Sequence, residues 1–459
     1  MIRDLLFYGA GVPRFVFIWL LVTPAMIWLA RAAGLRGRRL ALLVATTLPT
    51  FGLHSAAVPG LTSFPVQWAI TTLSLGALAT MLLRVVTHGL PPVGPCTSTW
   101  LQRRVSYLPA LTTVVLLGVV LRAVWTWIDP GIADIPQASE FAARQVLAGL
   151  NPYVEPNPFT YTPVYQYTAG TISWHLPFVA AIPDGRVMGE TFMAARLSAW
   201  AMDALAMAAI GIAGWLAVGR PERVPVICLV PAALYALNAT MIREVGLTAA
   251  NDVLMAVLSA IAVGLLSTGR NRRSAAACWG LAVSVKLPAL ALAPIFVAVA
   301  GIRPVLLAGC TALALQTPFF LWPTVGLHGL DAILEPALRN DSYDVVRRSV
   351  WWPLYGLLAA QGRLASVLSY VPLSVGTSIA GLGVRSLTNG RGGRRAVQEG
   401  ERLLALAALT LTSLVLLAPG WRNNFQSWPL PLAVLVAASG IWTTQEPTSQ
   451  PPLDEKAIA

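Results

Sequence analysis

The feature that most constrains this chain is a succession of apolar runs about as long as a bilayer is thick. The stretch "YLPALTTVVLLGVVLRAVWTW", residues 107–127, is one such run. A helix crosses hydrocarbon with roughly 20 residues, and with no water there its backbone polar groups must be bonded within the segment. Comparable runs lie near 13–30, 40–57, 64–84, 107–127, 193–218, 224–241, 248–267, 305–323, 364–384, 403–419 and 426–443. Between 275 and 301, "AAACWGLAVSVKLPALALAPIFVAVAG" is too long for one simple span and is interrupted by Lys286 and Pro288. Proline disfavours helix in the residue before it, so this stretch predicts two short helices forming a hairpin. The expected fold is an all-α polytopic membrane protein of roughly 11 to 13 transmembrane helices.

Composition agrees, because only 11% of the 459 residues are charged and 56% are hydrophobic. A soluble domain carries about a quarter charged residues. The net charge of +12 does not point to nucleic acid, since the arginines sit in short clusters between the apolar runs. Those clusters are Arg31/Arg36/Arg38/Arg39, Arg84/Arg103/Arg104, Arg220/Arg223, Arg270/Arg272/Arg273 and Arg385/Arg391/Arg394/Arg395. They alternate with the spans so that all five fall on one side, which the positive-inside rule makes cytoplasmic.

The opposite, external face then receives residues 128–192, residues 324–350 and the turns around Arg243 and Arg422. The first run is longer than a signal peptide's core and lacks a small-residue cleavage site, which predicts a retained span. The tail "TTQEPTSQPPLDEKAIA" is too poor in apolar residues to fold alone and reads as a disordered cytoplasmic segment, 444–459. Cys96, Cys228, Cys278 and Cys310 are isolated, a spacing that supports neither a metal site nor a disulfide framework.

Candidate functional residues collect on the external side. Asp129, Asp134, Glu140, Glu155, Asp184 and Glu190 lie in the 128–192 segment. Within it "ASEFAARQVLAGL" predicts an amphipathic helix at the interface, ended by Gly149 or Asn151-Pro152. Asp134 stands just before that helix, whose N-terminal dipole favours a carboxylate. "NPYVEPNPFTYTPVYQY" follows; it is either a stiff loop anchored by tyrosines in the headgroup layer or a rigid wall for a sugar or lipid headgroup.

Lys286 is isolated, since the other lysine is Lys456 in the tail. At the bilayer centre a lysine costs about 2.5 to 3.5 kcal/mol, so it needs an anionic partner unless it snorkels to the interface. In "REVGLTAANDVLMAVLSA", Glu244 and Asn251 would share a helical face if that helix begins early enough, and Asp252 complements the dipole. Asp203, inside a span, also needs a partner or a proton. Arg347 and Arg348 precede an aromatic re-entry, and guanidinium forks suit phosphate. Arg422, Asn423, Asn424 and Gln426 occupy a turn whose amides could bond sugar hydroxyls. No DxD carboxylate pair, phosphate-binding GxxxxGK[ST] or zinc-binding HExxH occurs, so no metal or other cofactor is indicated.

The order of an external Asp, "LAGLNPY", "FTYTPVY", "ANDVLMA", "LAVSVKLPAL" and "FQSWPLPLAV" resembles the GT-C glycosyltransferases that use polyprenyl-phosphate sugars. It is most similar to the actinobacterial mannosyl- and arabinofuranosyltransferase-like group, glycosyltransferase family 87. The resemblance covers residues 107–443 and leaves the helices of 1–106 outside it. It implies a GT-C-type bundle and a catalytic Asp in the first external loop, matched best by Asp134, with Asp129 the runner-up and Glu140 third.

It further implies transfer of mannose first, or arabinofuranose next, from polyprenyl phosphate to a lipid-linked or polysaccharide acceptor, by an inverting displacement at the outer face of the plasma membrane. Lys286, Arg347 and Arg422 would stabilise the departing phosphate. Asn151, Tyr153, Tyr161, Tyr165, Glu244, Asn251, Asp252 and Gln426 would hold substrate. Two other classes of reading compete: a transporter or flippase of a lipid-linked envelope precursor, for which inverted repeats and midplane charge are expected, and a non-catalytic envelope-assembly subunit.

Overall fold

The structure, a computed structural model, describes residues 14–50, 64–128, 134–160, 164–165, 167–183, 186–187, 190–218, 221–246, 249, 252–267, 271–322, 373–384, 396–417 and 427–443. Its principal helices are α1 (Arg14–Ala32), α2 (Gly37–Ala45), α3 (Phe64–His88), α4 (Tyr107–Ile128), α5 (Asp134–Leu147), α6 (Ala169–Ala181), α7 (Met193–Ala217) and α8 (Val230–Ala236). They continue with α9 (Ala239–Gly246), α10 (Asp252–Ser267), α11 (Arg272–Val285), α12 (Ala293–Ala300) and α13 (Ile302–Phe320). The last three are α14 (Leu373–Val384), α15 (Ala396–Leu417) and α16 (Leu430–Ala438). Strands are confined to two small ribbons among the described residues: β1 (Arg104–Ser106) with β2 (Arg223–Pro225), and Arg186–Val187 with Glu190–Thr191.

Among the described residues, five helical segments are long and apolar enough to cross a membrane: Ala69–His88, Tyr107–Ile128, Met193–Leu216, Ile302–Phe319 and Gly400–Leu417. A sixth arises if Val226–Ala236 and Ala239–Gly246, bent by 54°, are one broken span. Shorter apolar helices occupy several other predicted runs, among them Asp252–Ser267 and Leu373–Val384. The chain is therefore an all-α membrane protein. Its lipid-facing surface is visible on α4, where Leu116, Leu117, Val120, Val124 and Trp127 all point outward. The predicted tail, 444–459, and the loop 324–350 lie outside the described residues.

Contacts bring the described members of the arginine clusters to one end of the bundle. Gly94 donates its N–H to Gly34 O at 3.0 Å, next to Arg36, and β1 pairs antiparallel with β2, aligning Ser106 with Arg223. Arg39 donates to both oxygens of Glu401, at 2.8 and 3.1 Å, and to Pro91 O at 2.7 Å. Gly400 lies against Ser267, four residues before Asn271 caps α11. The N-terminal helices are thus tied into the same bundle as α15 and α16.

A broken span explains two charges within the apolar part. Where α8 gives way to α9 the helical ladder breaks: Tyr235 O accepts from Asn238 N–H at 3.1 Å, and the Ala236 carbonyl needs a donor that hydrocarbon would not provide. Arg122 supplies that donor, donating to Ala236 O and adding a second, longer bond of 3.5 Å to Tyr235 O. Its charge is met by Asp203, 2.5 Å from Arg122 Nε, and Tyr235 donates its hydroxyl to Asp203 Oδ1 at 2.8 Å. Asn238 restarts the helix by accepting from Met241 N at 3.1 Å.

The predicted hairpin is present, with Lys286 at its bend. Lys286 is extended, at φ −158° and ψ 129°, and Pro288 stands in the first turn of the 3₁₀ segment Leu287–Leu292. Proline has no N–H for the helical ladder, so α11 stops here. Trp279 on α11 donates to Ala289 O at 2.8 Å and stacks on Phe296 of α12 with ring centroids 4.5 Å apart, so α12 doubles back beside α11.

Candidate functional site

At the end of the bundle away from the arginines, three separate apolar runs bring one polar residue each to a common point. Asp252 opens α10, Lys286 ends α11 and Trp428 precedes α16. Lys286 Nζ pairs with Asp252 Oδ1, which also accepts from Trp428 Nε1 at 3.0 Å. Asp252 is completely buried and sits in the first turn of its helix, where the backbone dipole favours negative charge. The lysine side chain keeps 14% exposure. It runs between two aromatic faces, 5.5 Å from the Trp428 ring and 5.7 Å from that of Tyr167, a geometry in which ring quadrupoles attract the ammonium.

The loop of prolines and tyrosines forms the wall beside this pair. Gly170 at the start of α6 lies so close to Ser284 that an added Cβ would meet its carbonyl oxygen at 2.5 Å. Next to it, Thr171 donates to Val285 O at 3.0 Å, which fastens α6 to the residue before Lys286. Asn151 and Asn157 each accept from the backbone N–H two residues on, at Tyr153 and Phe159, the local turn chemistry that asparagine favours. Asn157 also donates to Ala138 O of α5 at 3.1 Å. Tyr153 and Tyr165 pack edge to face, 5.8 Å apart; Tyr153 donates to Tyr167 O at 2.8 Å, and the Tyr165 hydroxyl lies 3.1 Å from Ser139 Oγ.

Burial pushes both phenols above their ordinary value, so they stay neutral. Tyr153 and Tyr165, 1% and 0% exposed, are thus packed inside the protein rather than anchored in headgroups. His175 on α6 is fully buried and shares a bond with Thr171 O at 2.8 Å, and burial lowers its pKa to about 4.

The predicted site residues separate into groups. Lys286 and Asp252 come together, and the anionic partner that the lysine requires is Asp252. Asp134 is the first residue of α5. One turn on, Ser139 reaches Tyr165, whose ring is 5.4 Å from Tyr167, so this part of α5 is linked to the lysine through two tyrosines.

Glu140 is buried and committed: Arg144 donates to Oε1 at 2.6 Å, and Ala195 N donates to Oε2 at 2.8 Å. It thereby serves an unbonded N–H in the first turn of α7. Asn151, Tyr153 and Tyr165 are buried within the wall. Glu244 pairs with Arg243 inside α9, and α9 ends at Gly246 while α10 begins at Asp252, with Ala249 at φ 52° between them. Glu244 and Asp252 therefore stand on separate helices. Asp129, Tyr161, Asn251, Arg347, Arg422 and Gln426 lie outside the described residues.

The amphipathic helix is present and followed by Gly149 at φ 77°. Leu147 and Leu150 face outward, whereas Phe141 packs on Phe159. Two residues of the lysine site stand within quoted stretches without having been singled out: Tyr167, the last residue of "YQY", and Trp428, two after Gln426. A large amphipathic ring next to a predicted polar turn was the signal for Trp428. No known family model, curated protein or solved structure matches this chain.

Proposed function

We propose that this chain is an integral membrane glycosyltransferase that moves a sugar, mannose first and arabinofuranose second, from polyprenyl phosphate to a lipid-linked or polysaccharide acceptor on the extracytoplasmic face of the plasma membrane. The observation that carries this reading is the Lys286–Asp252 pair, partly open and aromatic-walled, at the same end of the bundle as the start of the acidic helix α5. A lipid phosphate is the anion that such a lysine suits, because the donor's sugar-phosphate junction lies at the membrane surface.

In the reaction, the oxygen of an acceptor hydroxyl attacks the anomeric carbon. The bond from that carbon to the phosphate oxygen breaks, and its electron pair leaves on the polyprenyl phosphate. Asp134 takes the hydroxyl proton as general base. Lys286 stabilises the charge growing on the phosphate, with Arg347 and Arg422 as further cations for the same task. Asp252 and Trp428 hold the lysine in place, and the wall around Tyr167 excludes water from one side.

The test uses membranes containing the full chain, a radiolabelled polyprenyl-phosphate mannose or arabinose, and a lipid-linked acceptor. Label should enter the acceptor with the native protein, and Asp134→Asn should abolish transfer at unchanged expression. Full transfer in that variant removes Asp134 from the mechanism. Movement of the carrier across the membrane with no new glycosidic bond replaces the enzyme with a transporter.

A further inference from the structure

A concavity of mixed polar and apolar lining lies at the arginine end, in the N-terminal helices that the proposed chemistry does not use. It has a volume of about 480 Å³ and is lined by Trp28, Arg31, Arg36, Leu40 and Thr97 among others. The turn between α1 and α2 shapes it. Gly34, at φ 88°, lies so close to Gly94 that an added Cβ would meet its carbonyl oxygen at 2.2 Å, and Thr97 N donates to Ala32 O at 3.0 Å. The segment around 94–97 is thus strapped across the turn and fixes the far wall.

The depth of this pocket follows from α1. Leu20, Leu21, Pro24, Ala25 and Trp28 are exposed along one face of the helix, an apolar stripe suited to lipid tails. Arg31 follows in the last turn, and Trp28 stacks on Trp100 with centroids 6.1 Å apart. An apolar stripe ending in tryptophan and then arginine is the pattern of the boundary between tails and headgroups. The two arginines differ from their neighbour Arg39, which Glu401 and three backbone carbonyls occupy. Arg31 and Arg36 are exposed and have no carboxylate partner among the described residues.

We infer that this pocket binds the phosphate-bearing headgroup of an anionic phospholipid from the adjoining leaflet, with Arg31 and Arg36 on the phosphate and Trp28 against the upper acyl chain. Two arginines give the charge complementarity, and the lipid-facing stripe leading into the pocket favours a headgroup over a soluble phosphate. The site gives the N-terminal helices a task, that of seating the bundle in an anionic membrane.

Native mass spectrometry of the detergent-solubilised full chain, titrated with phosphatidylglycerol or phosphatidylcholine, tests this. Phosphatidylglycerol should be retained in preference. Arg31→Gln/Arg36→Gln should weaken it about thirtyfold and each single variant about fivefold, at roughly 1 kcal/mol per charge near the surface. Arg38→Gln, exposed but outside the pocket lining, should leave binding unchanged. The single variants carry the test if the double variant does not fold. Equal retention of both lipids, retention unaffected by loss of Arg31 and Arg36, or displacement of the lipid by millimolar inorganic phosphate would each overturn the inference.

Discussion

Two buried ion pairs, Arg122–Asp203 and Lys286–Asp252, show how the same expense of charge in an apolar protein serves different ends. The first is sealed, with side chains 0% and 1% exposed. Its guanidinium is engaged by backbone carbonyls at the break between α8 and α9, and its carboxylate by Tyr235. The second leaves the lysine 14% exposed, anchored through one carboxylate oxygen and bracketed by aromatic rings. A cation closed off on every side repairs the backbone, whereas one that keeps part of its side chain accessible can meet a ligand.

Removing a partner should separate the two pairs most strongly at the sealed one. Asp203→Leu leaves Arg122 as an uncompensated buried cation, a loss of about 3 to 5 kcal/mol, read as a collapse of folded yield and thermal midpoint in detergent. If Asp203→Leu is tolerated as readily as a change at Asp252, the sealed pair is not the structural one.

The next effect lies in α6, on the wall beside the open pair. The His175 pKa is lowered from 6.5 to about 4, so the unfolded chain binds the proton first as pH falls. Its contribution is complete above 6.5 and is lost as pH drops toward 4, about 3 kcal/mol in all. His175→Leu should flatten the thermal midpoint across that window, and an unchanged slope would show that the wall does not depend on a neutral imidazole.

The smallest stability change belongs to Lys286→Gln. Asp252 keeps the Trp428 N–H and the α10 dipole, so the cost is about 1 to 2 kcal/mol, while sugar transfer should fall at least a hundredfold, roughly the effect of removing a preorganised charge-stabilising donor. A folded variant with native transfer would make the open pair structural as well.

Much of the fold was legible because hydrocarbon leaves the backbone little choice. Run length and proline position located Tyr107–Ile128, Met193–Leu216 and the hairpin at Lys286. The break at Leu237–Asn238 was not legible, since "LYALNATMI" has no proline or glycine and the break is held by tertiary bonds, from Arg122 to Ala236 O and from the Asn238 amide to Thr46 Oγ1. Of the candidate site, Lys286 stood out through its rarity. The roles of Glu140 and Glu244 could not be read, because a carboxylate's partner is set by packing: Ala195 N reaches Glu140 from 55 residues away.

By itself the sequence determined that this protein is helical and membrane-embedded and carries its arginine clusters between spans, because transfer of charge and of unbonded backbone into hydrocarbon is too costly to be left to chance. Only the tertiary structure decided which charges meet. Asp252, Lys286 and Trp428 lie far apart along the chain, and the free energy of a buried charge depends on the atoms within a few ångströms of it, which no spacing in the sequence specifies.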